Sequence, residues 1–398
     1  MNKEQLKITF PIGFHSFHKD QAFNFQLNRW YSLGYGRLED LETAGAQINN
    51  PETWKTTMLA QAEKAVSESR FLNAAYYFRA AEFFLAQNDP DKIPIHQNFI
   101  RYFNEVFGND GHTLIETPYG SSTIPTIVKP SVAEVEKGTI ILHGGYDSYK
   151  EELYPLVQHF SEQGYKVITF ECPWMKLPQD DEYPGLDFRW EKIIKAVLDH
   201  LSLDDVTLIG ISMGGWLSLR AAAFEPRIKQ VIASSVSFDV NQYVNPLAQK
   251  IASLFFTKFR KFTNQSMINK MKKDIRYNWF VNHLMYVTNH DVPIEAFDIL
   301  LQFNEHNLHS EKVVQDVLIL TGKEDHMIPL KMHGLQVKAL VNAKSVTDKI
   351  FSREDQAQNH CQVGNLGLAL NIMENWIQDK KTKNGPGGDK IPGHPQDS

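Results

Sequence analysis

Residues 206–225 read VTLIGISMGGWLSLRAAAFE. The first six form an apolar run of the kind found in buried strands, and a helical pattern opens at Met213. Between them lies Gly210-Ile211-Ser212-Met213-Gly214, a G-x-S-x-G turn in the strand-to-helix context that a nucleophile elbow requires. A turn this sharp strains the serine backbone and exposes its hydroxyl. Side chains at Gly210 and Gly214 would collide with neighbouring elements. The helix start beside Ser212 favours developing negative charge, and the Met213 N–H would face an oxyanion.

A serine hydroxyl is a weak nucleophile near neutral pH. It needs a base, and the base needs an orienting carboxylate. Behind an elbow of this kind the chain order is serine, then Asp or Glu, then His. Asp325 follows the apolar run DVLILTG in a loop at a strand end. Glu324 is its neighbour and should point elsewhere. Asp239, after VIASSVSF, is the rival acid. His360 lies after the last expected strand and before the last helix, where the base belongs. His326 sits too close to Asp325 to reach the serine. His306, His309 and His333 read as surface residues. A second oxyanion donor is expected from His143-Gly144-Gly145-Tyr146-Asp147-Ser148, with the Gly145 N–H first and Tyr146 next. His143 reads as a structural residue that holds this loop.

Around this centre the periodicity divides the chain. Residues 1–108 read as a mainly helical domain, with a break near Ser67–Arg70. HTLIETPYG and TIPTIVKP suggest a hairpin turning at Gly120–Ser122. Strands then alternate with helices over 109–239 and 311–379, which argues for a mainly parallel sheet covered by helices. Residues 240–310 interrupt the alternation with a helical insertion rich in aromatics and basic residues. Its Lys258, Arg260, Lys261, Lys270, Lys272 and Lys273 read as a solvated face. A final helix is expected from about Leu366 to Trp376. The tail from Lys380 to Ser398 has no apolar period and reads as disordered.

Composition removes several function classes. The 41 basic and 47 acidic residues give a net charge of −6, unlike a general nucleic-acid binder. Two cysteines, Cys172 and Cys361, exclude a disulfide scaffold or a Cys-rich zinc site, and both read as packing residues. The fifteen histidines show no metal-ligand spacing, so no metal is expected. No apolar run approaches the ~20 residues that cross a bilayer. No signal-peptide pattern opens the chain. A cytoplasmic protein without membrane or nucleic-acid partners is expected.

Four segments, FNFQLNRW (23–30), YYFRAAEFF (76–84), HGGYDSYKEELY (143–154) and the pair GISMGG (210–215) with NHCQVGN (359–365), carry a resemblance. The chain resembles the α/β-hydrolase subgroup that includes 2,6-dihydroxypseudooxynicotine hydrolase and the fermentation–respiration switch-like proteins. The resemblance implies an α/β-hydrolase core with a helical N-terminal domain closing over the site, and often a homodimer. It implies a Ser212–Asp325–His360 triad and no cofactor. ECPWMKLPQDD, after YKVITF, departs from the D-G-P-G-Q-G turn common in relatives. The expected activity is cleavage of an ester, amide or carbon–carbon bond next to a carbonyl, on an apolar or aromatic small molecule. Trp30, Tyr31, Phe255, Phe256, Trp279 and Phe280 are expected to form the lid. A non-catalytic interaction protein on the same scaffold, and an acyltransferase using the same triad, are the rival readings.

Overall fold

The computed structural model describes residues 9–175 and 185–384. Five helices come first: α1 (Gln21–Ser32), α2 (Leu38–Gln47), α3 (Pro51–Ser67), α4 (Phe71–Glu82) and α5 (Lys92–Phe107). Local chemistry sets their ends. The Asp20 carboxylate caps α1 by accepting from the Ala22 N–H, and Asn50 and Thr53 form a capping box ahead of α3. Ser69, with φ of 58°, turns the chain between α3 and α4. The two helices are tied internally by Trp54, whose indole N–H donates to the Ala80 carbonyl at 2.6 Å.

Eight strands build one sheet: β1 (Thr113–Tyr119), β2 (Ser122–Lys129), β3 (Gly138–His143), β4 (Tyr165–Phe170), β5 (Val206–Ile211), β6 (Ile228–Ser234), β7 (Asp316–Gly322) and β8 (Ser345–Phe351). Their spatial order is β1-β2-β4-β3-β5-β6-β7-β8. β1 and β2 form the antiparallel hairpin, β2 pairs antiparallel with β4, and every other pair is parallel. From β3 the chain first moves outward to β4 and then crosses to β5 on the other side. That reversal opens a crevice at the carboxyl ends of the strands, where such sheets place their ligands. The loops after β3, β5, β7 and β8 all emerge at this end. β3 and β7 are buried on both faces, hence their unbroken apolar runs.

The covering helices are α6 (Tyr154–Glu162), α7 (Glu191–His200), α8 (Met213–Ala222), α14 (Lys331–Ala339) and α15 (Leu366–Asn384). Between β6 and β7 stand α9 (Pro246–Lys258), α10 (Arg260–Met271), α11 (Ile275–Thr288), α12 (Pro293–Leu300) and the short α13 (Glu305–Leu308). No described helix is long and apolar enough to cross a membrane.

The last helix corrects the expectation of a disordered chain from Lys380, because α15 continues to Asn384. Lysines continue a helix at little cost, and the Lys381 ammonium donates to the Lys137 carbonyl at 2.9 Å. The rest of that tail, and the later part of ECPWMKLPQDD, lie outside the described residues.

Candidate active site

Ser212 joins β5 to α8 with φ of 63° and ψ of −127°, a conformation rare for a residue with a side chain. Its amide donates to the Ser234 carbonyl at 2.9 Å, which fixes the turn against β6. A Cβ at Gly210 would overlap the Gly214 carbonyl, and one at Gly214 would overlap the Gly144 carbonyl. Both glycines are therefore demanded by close backbone approach.

The Ser212 hydroxyl lies 2.9 Å from His360 Nε2, and His360 Nδ1 lies 2.7 Å from Asp325 Oδ2. A carboxylate can only accept, so in the neutral imidazole Nδ1 carries the proton and Nε2 is left to accept from the serine. The other Asp325 oxygen takes the Met327 and Ile328 amides at 2.8 and 3.0 Å. Burial pushes the Asp325 carboxyl up, yet His360 and these hydrogen bonds outweigh it and hold the group below its ordinary value. Burial pushes the His360 imidazole down. The adjoining Asp325 carboxylate outweighs it, and the imidazole titrates well above its ordinary value.

The rival acid stands elsewhere. Asp239 accepts from the Asn241 amide at 2.7 Å and from the Asn241 side chain at 2.9 Å, capping the turn that leads into the insertion. Glu324 points away and pairs with Arg353 at 2.6 Å. His326 packs against Phe25, with ring centroids 4.6 Å apart. His306 is solvent-exposed. His333, expected at the surface, is instead buried between Thr321 Oγ1 and Asp348 Oδ2, each at 2.9 Å. It sits on α14, a helix whose inward face covers the sheet.

The loop after β3 lies against the elbow. A Cβ at Gly145 would stand 2.8 Å from the Met213 nitrogen. The Met213 amide opens α8 and has no carbonyl within its own helix to bond. His143 is fully buried, and burial pushes its imidazole down to about 4, so it is neutral. Trp190 donates to its Nε2 at 3.2 Å, leaving Nδ1 to donate to the Gly144 carbonyl at 2.9 Å. His143 thus holds the loop. The Tyr146 hydroxyl donates to the Phe280 carbonyl at 2.9 Å, and His283 Nε2 donates to the Tyr146 carbonyl at 3.0 Å. These two bonds register α11 on the same loop.

Above Ser212 lies a cavity of about 560 Å³. Its wall is mainly apolar, with Leu33, Ile211, Phe297 and Leu300 among the contributors. Of the six aromatics expected in a lid, Trp279 and Phe280 line it. Trp30 is fully buried in the helical core, and Phe255 is exposed. Cys361 also corrects an expectation. It has φ of 53° and stands half-buried in the cavity wall, whereas Cys172 is buried.

Residues 140–351 match the family described as alpha/beta hydrolase fold. The chain belongs to this family. It is 25% identical to the alpha/beta hydrolase psoB of Aspergillus fumigatus over 386 residues, covering 85% of this chain and 84% of the relative. It is 29% identical to the 20-hydroxy-prefusarin hydrolase FUS2 of Gibberella moniliformis, over 78% of this chain and 84% of the relative. The crystal structure of the 2,6-dihydroxy-pseudo-oxynicotine hydrolase superposes with a TM-score of 0.61 at 20% identity, covering 88% of this chain and 95% of that one. That neighbour shares the fold.

In this α/β hydrolase the N-terminal helices reach the site through an ionic cluster not anticipated from sequence. Arg29 of α1 lines the cavity and contacts Asp147 at 3.2 Å, Ser148 at 3.1 Å and Glu152 at 2.7 Å. Arg79 of α4 donates to Glu152 at 2.7 Å and to the Asp147 carbonyl at 2.8 Å. The signal available was FNFQLNRW, where Phe25 and Arg29 recur at i, i+4 on one helix face. Arg79 and Glu152 are buried to 3% and 1% exposure, and removing Arg79 leaves Glu152 with Arg29 as its remaining guanidinium partner. Arg79→Met removes charge-assisted hydrogen bonds and is expected to lower the unfolding free energy by about 1.5–3 kcal/mol, read from the denaturant midpoint. A loss below about 1 kcal/mol would place this pair among weak surface contacts.

Proposed function

We propose that the chain is a serine hydrolase that cleaves an ester, amide or carbon–carbon bond next to a carbonyl in an apolar or aromatic small molecule. The observation that carries this reading is the hydrogen-bonded chain from the Ser212 hydroxyl through His360 to buried Asp325, opening onto an apolar cavity. The hydrolase names of the curated relatives agree with it.

In the first half-reaction His360 Nε2 takes the Ser212 proton as the oxygen attacks the substrate carbonyl carbon. The carbonyl π pair moves to oxygen, and the Met213 amide, with Gly145 or Tyr146, stabilises the charge. Collapse of the tetrahedral intermediate expels the leaving group, which receives the proton from His360. Water then attacks the acyl-enzyme, again giving its proton to His360. The acid product leaves, and the proton returns to Ser212.

Gly145 gives this step a sharp test. A methyl group at that position would stand 2.8 Å from the Met213 nitrogen, in the space the oxyanion needs. Gly145→Ala is expected to lower kcat by roughly 10²–10³ with a small change in KM. Unchanged kcat would remove Met213 from the oxyanion site.

The substrate class is tested with a panel of short-chain esters, aryl esters and aryl ketones. The apolar wall should raise kcat/KM by roughly fourfold per added methylene until the cavity is full. Turnover confined to highly charged compounds would contradict the reading.

A further inference from the structure

Between Asp239 and Asp274 the chain carries no acidic residue and seven basic ones, in a protein of net charge −6. Sequence alone marks this run as a solvated helical face. The structure adds that α9, within it, buries no residue. Leu247, Ile251, Leu254 and Phe255 are 69%, 49%, 47% and 37% exposed. They recur at i, i+4, i+7 and i+8, so they form one stripe on a helix. Phe259 and Phe262, at the start of α10, extend the exposed apolar surface at 51% and 67%. Lys258 falls at i+11 on the same stripe and Lys250 borders it, and both are exposed, as is Lys261. Phe256 lies on the opposite face and packs inward on Phe297, a cavity-lining residue, with centroids 6.1 Å apart.

We propose that α9 and the start of α10 dock the protein on an anionic lipid bilayer, with the apolar stripe inserted among the acyl chains and the lysines on the headgroups. A contiguous apolar stripe on a soluble face marks an interaction surface. Its lysine setting fits a surface of negative charge. A second copy fits less well. A two-fold dimer through this face would oppose Lys250, Lys258 and Lys261 to their own images. Docking would bring a wall of the cavity close to the lipid phase, from which an apolar substrate could enter. This last point rests on the proposed substrate class, whereas docking itself does not.

The test is flotation of the full chain with vesicles of phosphatidylcholine alone or mixed with phosphatidylserine. Binding is expected to the mixed vesicles and to weaken with salt. The triple variant K250E/K258E/K261E should lose on the order of 100-fold in partitioning, at roughly fivefold per lysine. L254S/F255S should also release the protein. Both variants should keep the wild-type melting temperature and wild-type turnover of a soluble ester, which separates docking from catalysis. Absence of binding to mixed vesicles would overturn the proposal. So would equal binding to neutral vesicles that survives the lysine reversals. A dimer in solution that L254S/F255S dissociates would also overturn it, and would assign the face to a second copy.

Discussion

Ser212→Ala is expected to lower kcat by about 10⁶ while leaving the fold and substrate binding in place. The expectation follows from local geometry. Alanine keeps the Cβ that the backbone already tolerates at φ of 63°, so the elbow between β5 and α8 gains no new strain. The amide of residue 212 still bonds the Ser234 carbonyl, and the glycines on either side still fit. Only the oxygen is lost, together with its 2.9 Å contact to His360. The cavity wall is otherwise unchanged, so the affinity for a competitive product should match the wild type. The measurement is kcat beside the product inhibition constant. A variant that turns over at the wild-type rate would remove the serine from the chemistry.

Asp325→Asn should cost about 10⁴ in kcat near neutral pH, with little loss of stability. An amide in place of the carboxylate can present an N–H to His360, which favours the tautomer with its proton on Nε2. That nitrogen then cannot accept from Ser212. The imidazolium formed during the reaction also loses its countercharge. The pH dependence gives a second readout with a defined sign. His360 works as a base only when neutral, so activity falls as pH drops through its pKa. In the wild type burial pushes that pKa down but Asp325 outweighs it, so the acid limb of kcat/KM should lie above the ordinary 6.5. Without the carboxylate the largest influence opposing burial is gone, and the residual activity should show its acid limb at lower pH. An acid limb that does not move would separate Asp325 from the titration of the base.

The elbow, the hairpin and the strand–helix alternation were legible because each rests on local pattern. A buried strand must be apolar, and a turn with close backbone approach must be glycine. The histidine that stands beside Ser212 was legible through chain order, which places one beyond the last strand. The carboxylate that meets this histidine was not decided that way. Asp239 and Asp325 both follow apolar strands, and only the three-dimensional course of the chain carries one to His360 while the other caps a turn. The lid aromatics are only partly legible, because composition does not reveal which face of a helix looks inward. Trp30 and Phe255 belong to helices that bury or expose them away from the cavity. The roles of Arg29 and Arg79 are not written locally, since their partners, Asp147 and Glu152, lie far along the chain. His333 reads as a surface residue because nothing local in the sequence shows that α14 turns it toward Thr321.

The most direct measurement is covalent. The intact protein is treated with a fluorophosphonate, digested, and the modified residue located by mass spectrometry. One adduct on the Ser212 hydroxyl is expected, abolished in Ser212→Ala and strongly slowed in Asp325→Asn. An adduct on another residue, or an active enzyme that resists the reagent, would contradict a nucleophilic serine at position 212.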